Sequence, residues 1–242
     1  MNESTKKELV KTITLTREEM HKVATERVAE IAKEFTEGFK FLEDYPKSVT
    51  FFGSTMSKEG DPYYESARAL SARIVKELEY SIVSGGGPGI MEAADRGAYE
   101  AGGNSIGLLI NLPTAQPTNS YIKKSISFYY FFARKVCLAF GAEVFIFYPG
   151  GYGTLDEFFE IITLLQTRKM GGAPMICIGS EYWNKMKDLM ETEMLARGMI
   201  AKEDLDLFTI TDDHDEVIEL IKKAPVKESI PLDFDPKIEV AA

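Results

Sequence analysis

Histidine is nearly absent from this chain: two occur in 242 residues, His21 in an N-terminal helical pattern and His214 in "TDDHDE". Both lie far in sequence from the glycine-rich segments, and both read as solvated surface positions. A histidine-centred triad or a histidine metal site therefore has almost nothing to build on, and no metal is expected. Cysteine is as scarce. Cys137 in "KVCLAF" and Cys177 in "MICIG" sit inside apolar segments and read as buried free thiols, with no disulfide framework and no zinc spacing. No apolar run is long enough to span a bilayer, and "MNESTKKELVKT" lacks the apolar core of a signal peptide. The expected compartment is the cytoplasm, with no membrane partner. Basic excess is missing too. Lys and Arg number 28 against 38 Asp and Glu, a net charge of −10, which argues against the basic stripe of a nucleic-acid surface. Any anion must then be held locally, by main-chain N–H groups and a few chosen cations. Carboxylates, Arg and Lys are left to carry whatever chemistry the protein performs.

What is present is ordinary in bulk, with 45% hydrophobic and 27% charged residues, and ordered in pattern. Residues 16 to 45 carry Val23, Val28, Ile31, Phe35, Phe39 and Leu42 at helical spacing, and Pro46 closes that helix. Short apolar runs then alternate with helical patterns. Strands are predicted at 48–54, 81–87, 104–110, 142–150 and 174–179. Helices are predicted at 63–80, 88–103, 127–141, 155–169 and about 181–197, with a loop carrying Pro113 and Pro117. The segments "DLFTITDD" and "HDEVIELIKKA" close the pattern. Apolar strands without clean alternation, separated by helices, predict a Rossmann-like doubly wound parallel α/β sheet covered on both faces. The expected organisation is an N-terminal helical extension over 1–46, one nucleotide-monophosphate-binding domain over 47–224, and a surface tail over 225–242. Ligands in such sheets bind at the carboxyl ends of strands, near the point where strand order reverses.

Two glycine-rich segments fall at predicted strand ends. "SGGGPGIMEA" places Gly85, Gly86 and Gly87 after a strand, with Pro88 at a first helical position. "PGGYGT" places Gly150, Gly151 and Gly153 ahead of another helix. Each puts a helix N-terminus, with unpaired N–H groups and partial positive charge, at the mouth of the sheet, where a phosphate fits. Tight chain reversal accounts for either segment equally well by itself. Neither matches G-x-G-x-x-G with its later acidic residue, and no Lys follows either cluster as in a triphosphate-binding loop. The pattern favours a monophosphate.

Thr154-Leu155-Asp156-Glu157 reads as a capping box, so helix capping explains Thr154 and Glu157 as well as catalysis does. That same first-turn position predicts an ionised Glu157, because the helix dipole favours negative charge there. Arg134-Lys135 interrupts the apolar run "YYFFARKVCLAF". A charged pair in such a helix must face a rim, a carboxylate or an anion, and the anion is favoured.

"SGGGPGIMEA", "FFARK" and "PGGYGTLDE", in that order and spacing, resemble the LOG ("lonely guy") family of cytokinin riboside 5′-monophosphate phosphoribohydrolases, once labelled lysine-decarboxylase-like. The likeness runs from about Phe51 to Lys223. The N-terminal helix and "DPYYESARAL" resemble the longer bacterial-type branch, which implies AMP and other purine nucleotides as substrates. The resemblance implies cleavage of the N-glycosidic bond of a nucleoside 5′-monophosphate to free base and ribose 5-phosphate, without a cofactor. It places the catalytic pair on Arg134 and Glu157. It places substrate binding on Gly86, Gly87, Gly89 and Met91, on Lys135, on Gly150, Gly151, Tyr152, Gly153 and Thr154, and on Thr163. Asn119 and Tyr121, in "TNSYI", occupy the place of a substrate-proximal loop. A homodimer or higher homo-oligomer, with the pocket near the subunit contact, is also implied. Relatives of this branch usually read G-S-A-R after the first strand, whereas this chain reads Gly53-Ser54-Thr55-Met56, so one cation is missing. A nucleotide or molybdenum-cofactor carrier without catalysis is the alternative on this fold. Decarboxylation would need a lysine Schiff base to pyridoxal phosphate, and no Lys here lies in such a motif.

Overall fold

The computed structural model describes residues 16–112 and 118–225. The Pro113 and Pro117 positions, residues 1–15 and the tail from 226 onward lie outside the described residues. The first helix, α1 (Arg17–Leu42), begins at a capping box in which Thr16 and Glu19 satisfy each other's backbone donors. Its first half stands in solvent on nearly every face. Its second half docks: Gly38 and Leu42 are buried, and Phe35 and Phe39 pack on Phe132 and Phe140.

Seven strands follow, β1 (Ser48–Phe52), β2 (Ser81–Ser84), β3 (Ser105–Ile110), β4 (Lys124–Phe128), β5 (Val144–Phe147), β6 (Met175–Cys177) and β7 (Thr209–Ile210). They form one all-parallel sheet in the order β4-β3-β2-β1-β5-β6-β7. The helices that connect them are α2 (Pro62–Leu78), α3 (Ile90–Glu100), α4 (Phe131–Phe140), α5 (Tyr152–Gln166), α6 (Ser180–Leu189) and α7 (His214–Lys223). Local chemistry sets several of these boundaries. Asp61 caps α2 ahead of Pro62, and Asp213 caps α7.

The central strands divide their residues between two cores. Val49, Phe51, Ile82, Val144 and Ile146 pack with α2, α3 and α7 on one face. Phe52, Val83, Phe145, Phe147, Phe158 and Trp183 pack under α4, α5 and α6 on the other. The sheet is therefore doubly wound, and each fully buried Ile or Phe contributes about 1.5–3 kcal/mol by leaving water. Among the described residues no helix is long and apolar enough to cross a membrane.

Some local expectations are overturned. The segment predicted as a helix from 127 contains the end of strand β4, and α4 begins only at Phe131. The helix expected to reach 197 is α6 followed by a π-helical turn, Met190–Leu195. His214 is not a solvated surface group: it is partly buried, and its Nε2 lies 2.9 Å from the Ser66 hydroxyl. Burial pushes its pKa down. His21 is exposed as read.

After β4 the chain crosses to the other side of β1, so strand order reverses between β1 and β5. Phe52 and Phe147 are in register there, and the Ser54 N–H donates to the Pro149 carbonyl at 3.0 Å, joining the two strand exits. Both glycine turns border this crevice.

Candidate active site

The second glycine turn lies at the exit of β5. Gly150 is glycine because the chain itself is close: a Cβ there would overlap the buried side chain of Thr154 and crowd the Ser54 nitrogen. At Gly151 and Gly153 no protein atom lies within 4 Å of where a Cβ would stand. Packing does not demand glycine at those two positions, and their exposed backbone is left open to approach. Helix α5 starts at Tyr152 with Gly151 as its N-cap and no side-chain cap. The capping box is thus overturned. Thr154 and Glu157 already lie inside the helix, too late to cap it, so the first-turn N–H groups keep their partial positive charge unquenched. The Tyr182 hydroxyl donates to the Gly150 carbonyl at 2.9 Å and braces the turn from α6.

The first glycine turn is more closed. Gly86 and Gly89 take positive φ, +73° and +77°, which only glycine adopts without strain. The Gly86 N–H donates to the Ser84 hydroxyl at 2.9 Å, and the Ile90 N–H to the Ser54 carbonyl at 3.0 Å. At α3 the Ile90 N–H is therefore already taken by the chain, although Gly89 gives this helix no side-chain cap either. Gly87 is buried beside them. Gly85 serves another purpose. A Cβ on it would run into the Arg134 guanidinium and the Met91 sulfur, so the missing side chain makes the bed for both.

Arg134, on α4, is 7% exposed, and its Nε donates to the Leu108 carbonyl at 2.7 Å. Among the described residues no carboxylate lies within ion-pair distance of it. Burial draws its pKa down, opposed by attraction from Glu157. A guanidinium buried without a counter-ion is costly, which is a mark of a site prepared for an anion.

Glu157, in α5, is partly buried, and its carboxyl forms no hydrogen bond or ion pair among the described residues. Burial pushes its carboxyl up to about 7, with Arg134 pulling the other way. Burial thus works against the fully ionised Glu157 expected from its place near the start of the helix, and it outweighs the pull of the guanidinium. A carboxyl poised near neutrality can either give or take a proton.

The remaining predicted positions divide. Lys135 is held by Asp156 at 3.1 Å and Glu160 at 2.9 Å, tying α4 to α5. With Tyr152, Leu155 and Phe159 these residues line an open groove of about 660 Å³. Tyr152 is 96% exposed. Thr163 lies farther along α5, exposed, with its hydroxyl donating to the Phe159 carbonyl at 2.6 Å. Asn119 is buried, and its amide donates to the Gly87 carbonyl and to Asp95. The Tyr121 ring turns toward α3, under the Arg96 guanidinium and against Tyr99. Met56 is 76% exposed and borders a cleft of about 300 Å³ with Lys58, Tyr64 and Glu92. Sequence reasoning missed Asp95, Ser84 and Tyr182. The visible signal for Asp95 was a carboxylate set among small buried residues in "EAADRGA". No group of three or more His, Cys, Asp and Glu suited to a metal ion occurs among the described residues.

The family described as "Possible lysine decarboxylase" matches residues 91–221, more than half of the chain. The chain belongs to that family. This is the LOG family, and the match contains Arg134, both sides of the second glycine turn and Glu157, while the first glycine turn lies ahead of it. Among LOG-family relatives, a cytokinin riboside 5′-monophosphate phosphoribohydrolase of Rhodococcoides fascians is 30% identical over 120 residues, 49% of this chain and 61% of that one. The LOG5 enzyme of the same name from Arabidopsis thaliana is 30% identical over 121 residues, 50% of this chain and 53% of that one. The chain thus matches between about half and three fifths of these relatives' lengths. Among solved structures, the molybdenum cofactor carrier protein of Chlamydomonas reinhardtii superposes with a TM-score of 0.53 at 21% identity, covering 73% of this chain and 96% of that one. The molybdenum cofactor binding protein of Rippkaea orientalis gives 0.51 at 20% identity, over 72% and 93%. These likenesses show the Rossmann-like fold.

Proposed function

We propose that this chain hydrolyses the N-glycosidic bond of a purine nucleoside 5′-monophosphate, AMP or a cytokinin-type nucleotide, giving the free base and ribose 5-phosphate. One observation carries the reading. A buried guanidinium and a half-buried carboxyl, Arg134 and Glu157, attract each other without pairing, beside a helix that opens uncapped at Gly151. The names of the curated relatives support it.

In this reading the phosphate lies on the main-chain N–H groups of the Gly151–Thr154 turn, and phosphate binding orients the sugar. The C1′–N bond breaks with its electron pair going to the base, through an oxocarbenium-like centre. The oxygen of a water molecule bonds to C1′ and loses a proton, and the base gains one. Glu157 holds the ribose hydroxyls and passes protons at this centre. Arg134 neutralises charge developing on the base or the adjacent phosphate. Two copies of the chain pack through the apolar α4–α5 face beside the pocket.

The test is base release from a panel of mono-, di- and triphosphates. Wild type is expected to release adenine from AMP. Arg134→Ala and Glu157→Gln should each lower that rate by about 10²-fold or more while the folded circular-dichroism spectrum is kept. Adenine release retained in both variants eliminates the assignment. Tight AMP binding by wild type with no release would instead favour a nucleotide carrier.

A further inference from the structure

One closed polar cluster is not used by the proposed chemistry. Asp95, on α3, has no exposed surface. Its Oδ2 accepts the Ser84 hydroxyl and the Asn119 side-chain amide, each at 2.7 Å, while its buried Oδ1 has no partner. The same Ser84 oxygen accepts the Gly86 N–H at 2.9 Å. Asn119 does more than reach Asp95. Its amide also donates to the Gly87 carbonyl at 3.1 Å, its own N–H donates to the Gly86 carbonyl at 3.0 Å, and its Oδ1 accepts the Tyr121 N–H at 3.1 Å. Three separate pieces of chain meet at one carboxylate: the exit of β2, helix α3 and the segment at 118–121.

We infer that Asp95 is a positioning residue of the pocket: through Ser84 and Asn119 it clamps the segment at 118–121 onto the first glycine turn, where Gly85 beds the Arg134 guanidinium. The donor directions fix which form of the carboxyl does this. Both neighbouring hydrogens point at Oδ2, which accepts them more strongly when the carboxyl is ionised than when a proton sits on Oδ1, where no acceptor stands. Burial pushes this carboxyl up to about 7. Glu92, on the same helix, adds to the rise, while Ser84 from β2 and Asn119 from the segment after β3 oppose it. The clamp is therefore held more tightly by the ionised carboxyl and weakens, without losing its two donors, as pH falls. Its bearing on catalysis rests on the nucleotide-hydrolase reading above; the clamp itself does not.

Asp95→Asn keeps the shape and removes the titration. In that variant the Asn119 and Tyr121 amide hydrogens are expected to exchange with solvent about tenfold faster, and KM for AMP to rise about tenfold at nearly constant kcat. The dependence of KM on pH between about 6 and 8 should flatten. Ser84→Ala, which removes one donor, should move exchange and KM the same way by less and serves if Asp95→Asn unfolds. Unchanged exchange at both amides, or unchanged KM and pH profile in a folded variant, overturns the inference. A wild type that releases base from no nucleotide defeats the hydrolase reading, while the exchange comparison still decides the clamp.

Discussion

A carboxyl that titrates near neutrality in the folded chain costs stability whenever it is charged. Glu157 rises from its ordinary 4.5 to about 7, so the folded chain holds that proton more tightly than the unfolded one. Its contribution to stability is complete below the unfolded value and is lost as pH climbs through the folded one. Glu157→Gln should therefore be more stable than the parent at about pH 8, by on the order of 2 kcal/mol, with the gap shrinking toward about pH 5. Urea midpoints at the two pH values measure it, and equal midpoints at the higher pH would mean that position 157 is well solvated. A variant that gains stability while losing activity is the signature of a site kept under strain for function. At this scale the sequence was legible where residue types were unusual for their surroundings. Arg134 inside an apolar helix and the glycines ahead of α5 both stood out on that ground. The motif at Thr154 and Glu157 was ambiguous, because the spacing of a capping box does not say where a helix starts, and here it starts at Tyr152. Asp95 and Ser84 could not be paired from sequence, since their contact joins α3 to β2 through a third segment.

Among elements, α4 depends on the N-terminal helix. It has no side-chain cap of its own. Glu34 of α1 accepts the N–H groups of Tyr129, at 2.6 Å, and Tyr130, at 3.2 Å, and lends negative charge to the start of α4. Since α4 carries Arg134, the extension helps to place the cation proposed for catalysis. Glu34→Ala should cost about 1 kcal/mol of stability in a denaturant titration and reduce base release more than a control substitution at Glu30, which is exposed on the same helix. Equal effects of the two would leave α1 without a role in the pocket. The alternation of strands and helices was readable because the central strands are buried throughout and mostly apolar. Strand β4 was not. "KSISF" sits at the sheet edge with Lys124, Ser125 and Ser127 exposed, and a polar edge strand beside an aromatic helix start carries too little apolar signal to separate the two.

For the whole molecule, half of the twelve large apolar side chains exposed among the described residues gather on one face. Tyr129, Phe131, Phe132 and Val136 lie at and along α4, with Tyr152 and Phe159 on α5, beside the groove that Lys135 bridges. A dimer through this face would cover the approach to the second glycine turn. Sedimentation velocity is expected to show a wild-type dimer that Phe131→Asp converts to monomer, and a monomeric wild type at micromolar concentration would refute that assembly. The strand order itself was beyond sequence pattern, because the jump from β4 to β5 is decided by which edges remain open in three dimensions.

The two thiols stand at different depths of this architecture. Cys137 lies where a side chain on Gly38 would be, directly under α1, whereas Cys177 is on β6, within the sheet itself, beside Phe147 of β5. Burial raises both thiols far out of their reactive range, Cys137 to about 12 and Cys177 well above its ordinary value. A thiol reagent thus meets nothing until the chain opens. Lifting of the extension exposes the first sulfur, and only disruption of the sheet exposes the second, so the chain carries two chemical clocks that time separate stages of its own undoing.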